Sequence, residues 1–147
     1  MIANHQQAFL YQLFIALRRA DYPLAGRGTD KRLFYPWGNK KPTKQLANIW
    51  PHVKDTSPVG QYPKGKSKSG CLDMAGNVWE WTLSKPLNYP YKPDDGRENT
   101  SRTYDDRVLR GGSWNDDGTL PFSVFFRYRH DPRHRDNFIG FRLARSW

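Results

Sequence analysis

Apolar residues recur at helical spacing in one place along the chain. Phe9, Leu10, Leu13, Phe14 and Leu17 fall three and four apart, Arg18 and Arg19 follow where cations suit a helix C-terminus, and Pro23 closes the run. The spacing predicts one N-terminal helix. The stretch from Phe9 to Leu17 is about half as long as a bilayer span and carries Gln12, so it predicts no membrane crossing. It also lacks the basic leader and small-residue cleavage site of a signal peptide. After residue 25 the pattern changes to short apolar runs broken by Gly, Pro, Asn and Asp. Strands are predicted in "RVLRGG" from Arg107 and "IGFRLA" from Ile139, and a long surface loop over 86–103. No internal repeat is present. The fold class expected is α+β, rich in loops.

The stretch "DMAGNVWEWT", residues 73–82, combines a turn with a strand. Gly76 permits a positive φ, so the chain can turn before Asn77. Alternation then sends Val78, Glu80 and Thr82 to one side and Trp79 and Trp81 to the other. With 37% hydrophobic and 15% aromatic residues, the core must rest on few, large side chains, and these tryptophans supply that mass. Glu80 has two readings. It pairs with an arginine such as Arg110 or Arg142, as buried acids generally do, or it joins Asn77 in offering oxygens to Ca2+.

Charge and single residues narrow the chemistry. The chain has 147 residues, enough for one core, and a net charge of +10 that would attract nucleic acid, anionic surfaces or acidic ligands. One cysteine, Cys71, excludes an internal disulfide and any two-thiol redox site within the chain, and suits a reducing, cytoplasmic setting. It reads as a small buried hydrophobe. His130 and His134 stand four apart, but Pro132 between them argues against a helix that would align both on a metal, so they read as loop histidines. Ser113 in "GGSW" lacks the G-x-S-x-G pattern of a nucleophile elbow. No phosphate loop, dinucleotide fingerprint or zinc cysteine set is present.

Segment 121–138 mixes aromatics, histidines and arginines, the side chains that dominate recognition surfaces. Phe126 and Tyr128 fall on one side of any local strand, Arg127 and Arg129 on the other. The same mixture over 125–135 also admits binding of single-stranded nucleic acid.

Four pieces stand in order: "YPWGN" at 35–39, "ANIW" at 47–50, "DMAGNVWEWT", and "RVLRGGSW" at 107–114 with "GFRLAR" at 140–145. "TSPVGQYP" at 56–63 lies between the second and third. The ordered set resembles the formylglycine-generating enzyme family, the sulfatase-modifying-factor domain, over about residues 33–145. The resemblance implies a C-type-lectin-like fold. It implies structural calcium as well, held by Asn77, the Val78 carbonyl and Glu80, and at a second site by Asn48 and the Ile49 carbonyl, where Asp55 is the acid that follows. It also implies that Arg127, Arg129 and Arg142 brace loops through carbonyls or acids; Arg110 is expected to be structural.

The family's oxidases hold copper(I) with two cysteines before the "GFR" strand, and residues 121–142 contain none, so copper and catalysis are not expected. A second resemblance is to retroelement-diversified variable proteins, which end in "GGSW…R.R..P..R…GFRLA". Between those fixed positions stand Phe126, Tyr128, His130, Asp131, His134, Asp136 and Phe138, compatible with a diversified face. Upstream, the family's acidic "LPTEAEWE"-like motif is replaced by the basic "ALRRADYPLAGRGTDKRL". The organisation expected is therefore an N-terminal helix or leader over 1–25 and a domain over 26–147 that is truncated at its start.

The reading that follows is a non-catalytic module presenting Trp114, Phe126, Tyr128, His130, Asp131, Arg133, His134, Asp136 and Phe138 to a protein or small-molecule ligand. The alternatives are a formylglycine-generating oxidase and a nucleic-acid binder.

Overall fold

The structure, a computed structural model, describes residues 26, 30–102 and 104–143. The expected helix at 9–17 lies outside them. Four short strands form one sheet: β1 (Trp79–Trp81), β2 (Arg107–Arg110), β3 (Tyr128–His130) and β4 (Ile139–Gly140), in the order β3-β2-β1-β4. β2 runs antiparallel to both β1 and β3, and β4 runs parallel to β1. Among the described residues two single-turn 3-10 helices, Pro63–Gly65 and Leu120–Phe122, both carry proline in the first turn. Loops fill most of the remaining described residues, including 86–102, as their Gly, Pro and Asp content predicts.

β1 and β2 match the strands expected from "WEW" and "RVLR", whereas β3 is not among the expected strands. "IGFRLA" gives a strand of only two residues, β4. Phe141 and Arg142 then leave the ladder, which frees Arg142 to fold back on Glu80.

The sheet is covered on both faces, which simple alternation does not foresee. Trp79 is buried as expected, while Trp81 is only half-buried, and Glu80 on the opposite face is buried as well. β2 is buried at all four positions. Its apolar pair, Val108 and Leu109, is flanked by Arg107 and Arg110, whose guanidiniums find carbonyls. Arg107 donates to Leu83 O and Asn99 O, and Arg110 to Phe126 O at 2.6 Å. A buried cation is stable when such donors are satisfied.

The DMAGN turn joins the sheet to the remaining core. Gly76 has φ +76°, and a Cβ there would stand 2.4 Å from the Asn48 carbonyl oxygen. Only glycine allows that approach. In it, Asn77 N donates to Asn48 O and Gly76 N to Gly111 O, stitching three separate motifs together. The core they enclose contains Tyr35, Ala47, Ile49, Ala75 and Phe122, with Phe34 and Trp37 packed against it. Tyr35 stacks on Trp37 at 5.5 Å, so the YPWGN motif works as an aromatic wedge.

Candidate functional site

β3 is an edge strand, and its register fixes what it shows. Tyr128 pairs with Leu109 and His130 with Arg107, placing Tyr128 and His130 on one face and Arg129, opposite Val108, on the other. Just beyond β2, Gly111 offers no side chain, so rings from β1 and β3 meet across the sheet. Trp79 lies 5.6 Å from Tyr128 and 6.0 Å from Phe126. Tyr128 lies 6.3 Å from His130, and His130 stacks on His134 at 3.9 Å. The result is a continuous row of five rings, Phe126, Trp79, Tyr128, His130 and His134. Trp79 is its buried floor, and Tyr128, 48% exposed, is its outermost ring.

The two histidines meet through a turn rather than a helix. His134 N donates to Asp131 O, which reverses the chain around Pro132 and lays one imidazole over the other. His134 Nε2 is 3.7 Å from Asp136 Oδ2, and His130 Nδ1 is buried without a hydrogen-bond partner. At the rim, Asp131 accepts from the Arg133 backbone and guanidinium, and Arg133 lies 4.8 Å over the ring of Tyr104. These hydrogen bonds lower the Asp131 carboxyl to a pKa of about 2. Tyr104 was not singled out by sequence reading. It lies in a loop outside every motif, and only the fold brings it under Arg133.

Of the nine residues expected to meet a ligand, the structure gathers Phe126, Tyr128, His130 and His134 in the row, with Asp131, Arg133 and Asp136 at its edge. Trp114 stands apart. It is buried, its backbone N donates to Asn77 O, and its indole N–H has no partner. Phe138 contributes its carbonyl, which accepts from Trp79 N. Among the described residues no ring contact links either side chain to the row.

The arginines act as braces. Arg127 donates to Leu87 O and covers the Tyr89 ring at 4.6 Å, and Arg129 lies 3.9 Å from Asp106. Arg142 grips Glu80 through Nε and Nη2 and donates to Asp73 O. Burial pushes the Glu80 carboxyl above its ordinary range, and the Arg142 hydrogen bonds oppose that shift. Arg97 was missed by sequence reading and is nearly sealed from solvent, held by Asp95 and by the Asn88 and Pro90 carbonyls.

Calcium can be tested against the same geometry. Glu80 is occupied by Arg142, and Asn77 Oδ1 already accepts from Ser57 N and Ser57 Oγ and from Asn48 Nδ2. Those residues do not fit a calcium ligand set as they stand. Asn48 Oδ1, in contrast, is buried and without a donor, beside the Asp55 carbonyl that takes its Nδ2. Among the described residues no three His, Cys, Asp or Glu side chains cluster around a common point, and no helix is long and apolar enough to cross a membrane.

A small mixed sheet bounded by long loops and tied by a glycine turn defines a C-type-lectin-like domain of the formylglycine-generating type. The chain belongs to the sulfatase-modifying factor enzyme 1-like domain family, whose model matches residues 17–147. It is 40% identical over 119 residues to hercynine oxygenase of Mycobacterium tuberculosis, covering 79% of this chain and 28% of that protein. It is 34% identical over 140 residues to the inactive C-alpha-formylglycine-generating enzyme 2 of Bos taurus, covering 84% of this chain and 41% of that one. The chain thus spans less than half the length of these curated relatives. Among solved structures it is similar to Treponema denticola variable protein 1, with a TM-score of 0.64, 26% identity and coverage of 86% and 45%. PvdO from Pseudomonas aeruginosa matches with a TM-score of 0.66, 26% identity and coverage of 86% and 50%.

Proposed function

We propose that this chain is a binding module of its family, and that the row from Phe126 to His134 is its ligand face. The observation that supports it most is the exposure of Tyr128 on a rigid edge strand, backed by buried Trp79. A fixed aromatic with a polar tip, set among groups that can donate, accept or stack, loses little entropy on binding. The similarity to a variable protein supports the same reading, because four of the seven residues between the motif's fixed positions form the row. The resemblance to diversified variable proteins implies asparagine at such positions, and adenine-directed change of asparagine codons yields Tyr, His, Asp and Phe. A near-copy of the coding segment for 111–142 in the flanking DNA, differing at adenines, would establish diversification; its absence would remove it.

The binding reading is tested by selecting a displayed peptide library on the protein. Clones retained by the wild type and lost with Tyr128→Ala and His130→Ala place the ligand on the row. Clones indifferent to both changes refute it.

A second reading is favoured by the 40% identity to hercynine oxygenase: the chain is a portion of an oxidative enzyme. Calorimetric titration with hercynine tests it, binding supporting the enzyme reading and silence opposing it. Conversion of a cysteine to formylglycine has less support, since a two-thiolate copper site cannot be built from a chain whose only cysteine is Cys71. Aldehyde formed on a cysteine peptide in the presence of copper would reverse that judgement. Calcium at Asn48 Oδ1 and the Ile49 carbonyl remains part of the proposal, and a calcium-dependent rise in melting temperature, lost in Asn48→Ala, is its test.

A further inference from the structure

Much of the positive charge of this chain lies away from the aromatic face. From Asp30 to Lys68 there are nine basic residues, eight of them lysines, against Asp30 and Asp55, a surplus of seven within a net charge of +10. Three of the arginines near the ring row are engaged: Arg127 by Leu87 O and Tyr89, Arg129 by Asp106, and Arg133 by Asp131.

We infer that the lysines of 40–44 and 64–68 form one polyanion-binding surface, separate from the ring row, that takes the phosphate backbone of a nucleic acid. The two segments adjoin because Gly65 sits directly against Leu46. A Cβ on Gly65 would fall 1.8 Å from the Leu46 carbonyl oxygen, so only glycine lets the chains approach so closely. Lys64, Lys66 and Lys68 are exposed, while Gly65 and Ser67 between them are buried, so all three side chains reach solvent. Lys40, Lys41 and Lys44 are exposed on the adjoining segment.

The backbone beneath is pinned. Leu46 N and Ala47 N donate to Thr43 O, Trp37 Nε1 to Lys40 O, Ser67 N to Cys71 O, and Cys71 N to Ser67 Oγ. Among the described residues, none of the six lysines ends on a carboxylate. Six like charges held on two touching turns repel one another, and a polyanion relieves that repulsion while releasing its counterions. An anionic bilayer is the weaker match. Binding there is strengthened by inserted apolar side chains, and between the lysines stand Pro42, Thr43, Gly65 and Ser67, with no large apolar residue among them.

The test is fluorescence anisotropy of a short labelled oligo-dT strand with the full chain, across rising NaCl. Wild type should bind with affinity that falls steeply with salt. The triple variant K64Q/K66Q/K68Q should bind roughly tenfold more weakly at low salt, its log–log slope shallower by about 2 because each lost phosphate contact removes about 0.7. The K64R/K66R/K68R variant should restore binding, and Tyr128→Ala should leave it unchanged. All six lysines are exposed, and unaltered circular dichroism excludes misfolding. The inference is overturned if wild type does not bind the strand at low salt, if the glutamine variant binds like wild type, or if only phosphatidylserine vesicles are bound.

Discussion

Arg142 Nη2 lies 2.8 Å from Glu80 Oε1, and its Nε lies 3.0 Å from the same oxygen, so a residue just beyond β4 clamps the centre of β1. The pair is 62 positions apart in sequence and closes the parallel edge of the sheet where the β4 ladder is only two residues long. Arg142→Met would leave the buried Glu80 carboxylate without its cation. The loss expected is about 3 kcal/mol in urea unfolding, as for other broken buried pairs. Loss below ~1 kcal/mol would show that the clamp contributes little.

The same pair sets a pH dependence. Burial raises the folded pKa of Glu80 above its ordinary value of 4.5, so its protonated form is favoured in the folded state. Its contribution is present in full below the unfolded pKa and is lost as pH rises through the folded one. Glu80→Gln should remove this dependence, so stability of wild type relative to E80Q falls as pH climbs from the ordinary carboxylate range. Because Arg142 opposes the shift, R142M should carry the loss to higher pH. A pH-independent difference between wild type and E80Q would contradict this account.

Gly76→Ala tests the stitch between motifs. The new Cβ meets Asn48 O at 2.4 Å, and φ +76° is itself strained for alanine. The two effects together should cost at least ~2 kcal/mol or prevent folding. Gly118→Ala is the control, since its φ of +78° is similar but nothing stands within 4 Å of its Cβ. Equal stability of the two variants would show that conformational strain, not the Asn48 contact, decides.

Much of this was legible in the sequence, for reasons that differ by residue. Gly76 and the WEW strand carry local signals, and the positive φ and the strand appear as read, but burial departs from period two because Glu80 is buried and Trp81 only half-buried. Arg110, Arg127 and Arg142 stood out in the sequence by residue type, and each reaches a carbonyl or an acid. Their partners were not, because each is set by tertiary approach. Glu80 illustrates this: alternation gives its face but cannot say whether a cation waits there. The histidine pair was hidden by Pro132. Excluding a helix was sound, yet a turn brought the rings together by another route. Arg97 and Tyr104 have no local signal at all.

Asp131 gives the ring row a rim whose charge is fixed by a neighbour. The carboxyl is lowered to about 2, first by the Arg133 side-chain hydrogen bond and then by its backbone N–H. A depressed acid contributes above its unfolded pKa and loses that contribution as pH falls through the folded one. Carbon-detected NMR should therefore show Asp131 titrating near 2, and Arg133→Gln should return it toward 3.8. An unmoved titration would mean that the loop backbone, not the guanidinium, holds the proton off.

Floor and rim of the row should separate binding from folding. Tyr128 is 48% exposed and Trp79 is 5% exposed, although the two rings are 5.6 Å apart. Truncating the exposed ring removes contact area without opening a cavity, so Tyr128→Ala should shift stability by less than ~1 kcal/mol and weaken a selected peptide by about tenfold or more. Trp79→Ala opens a large hole beneath the sheet and should cost about 3–5 kcal/mol. Thermal melts and peptide titrations on both variants resolve the question. If Tyr128→Ala unfolds the protein, the ring belongs to the core and the row is not a recognition face. If Trp79→Ala folds normally and also loses the peptide, the indole reaches the ligand itself.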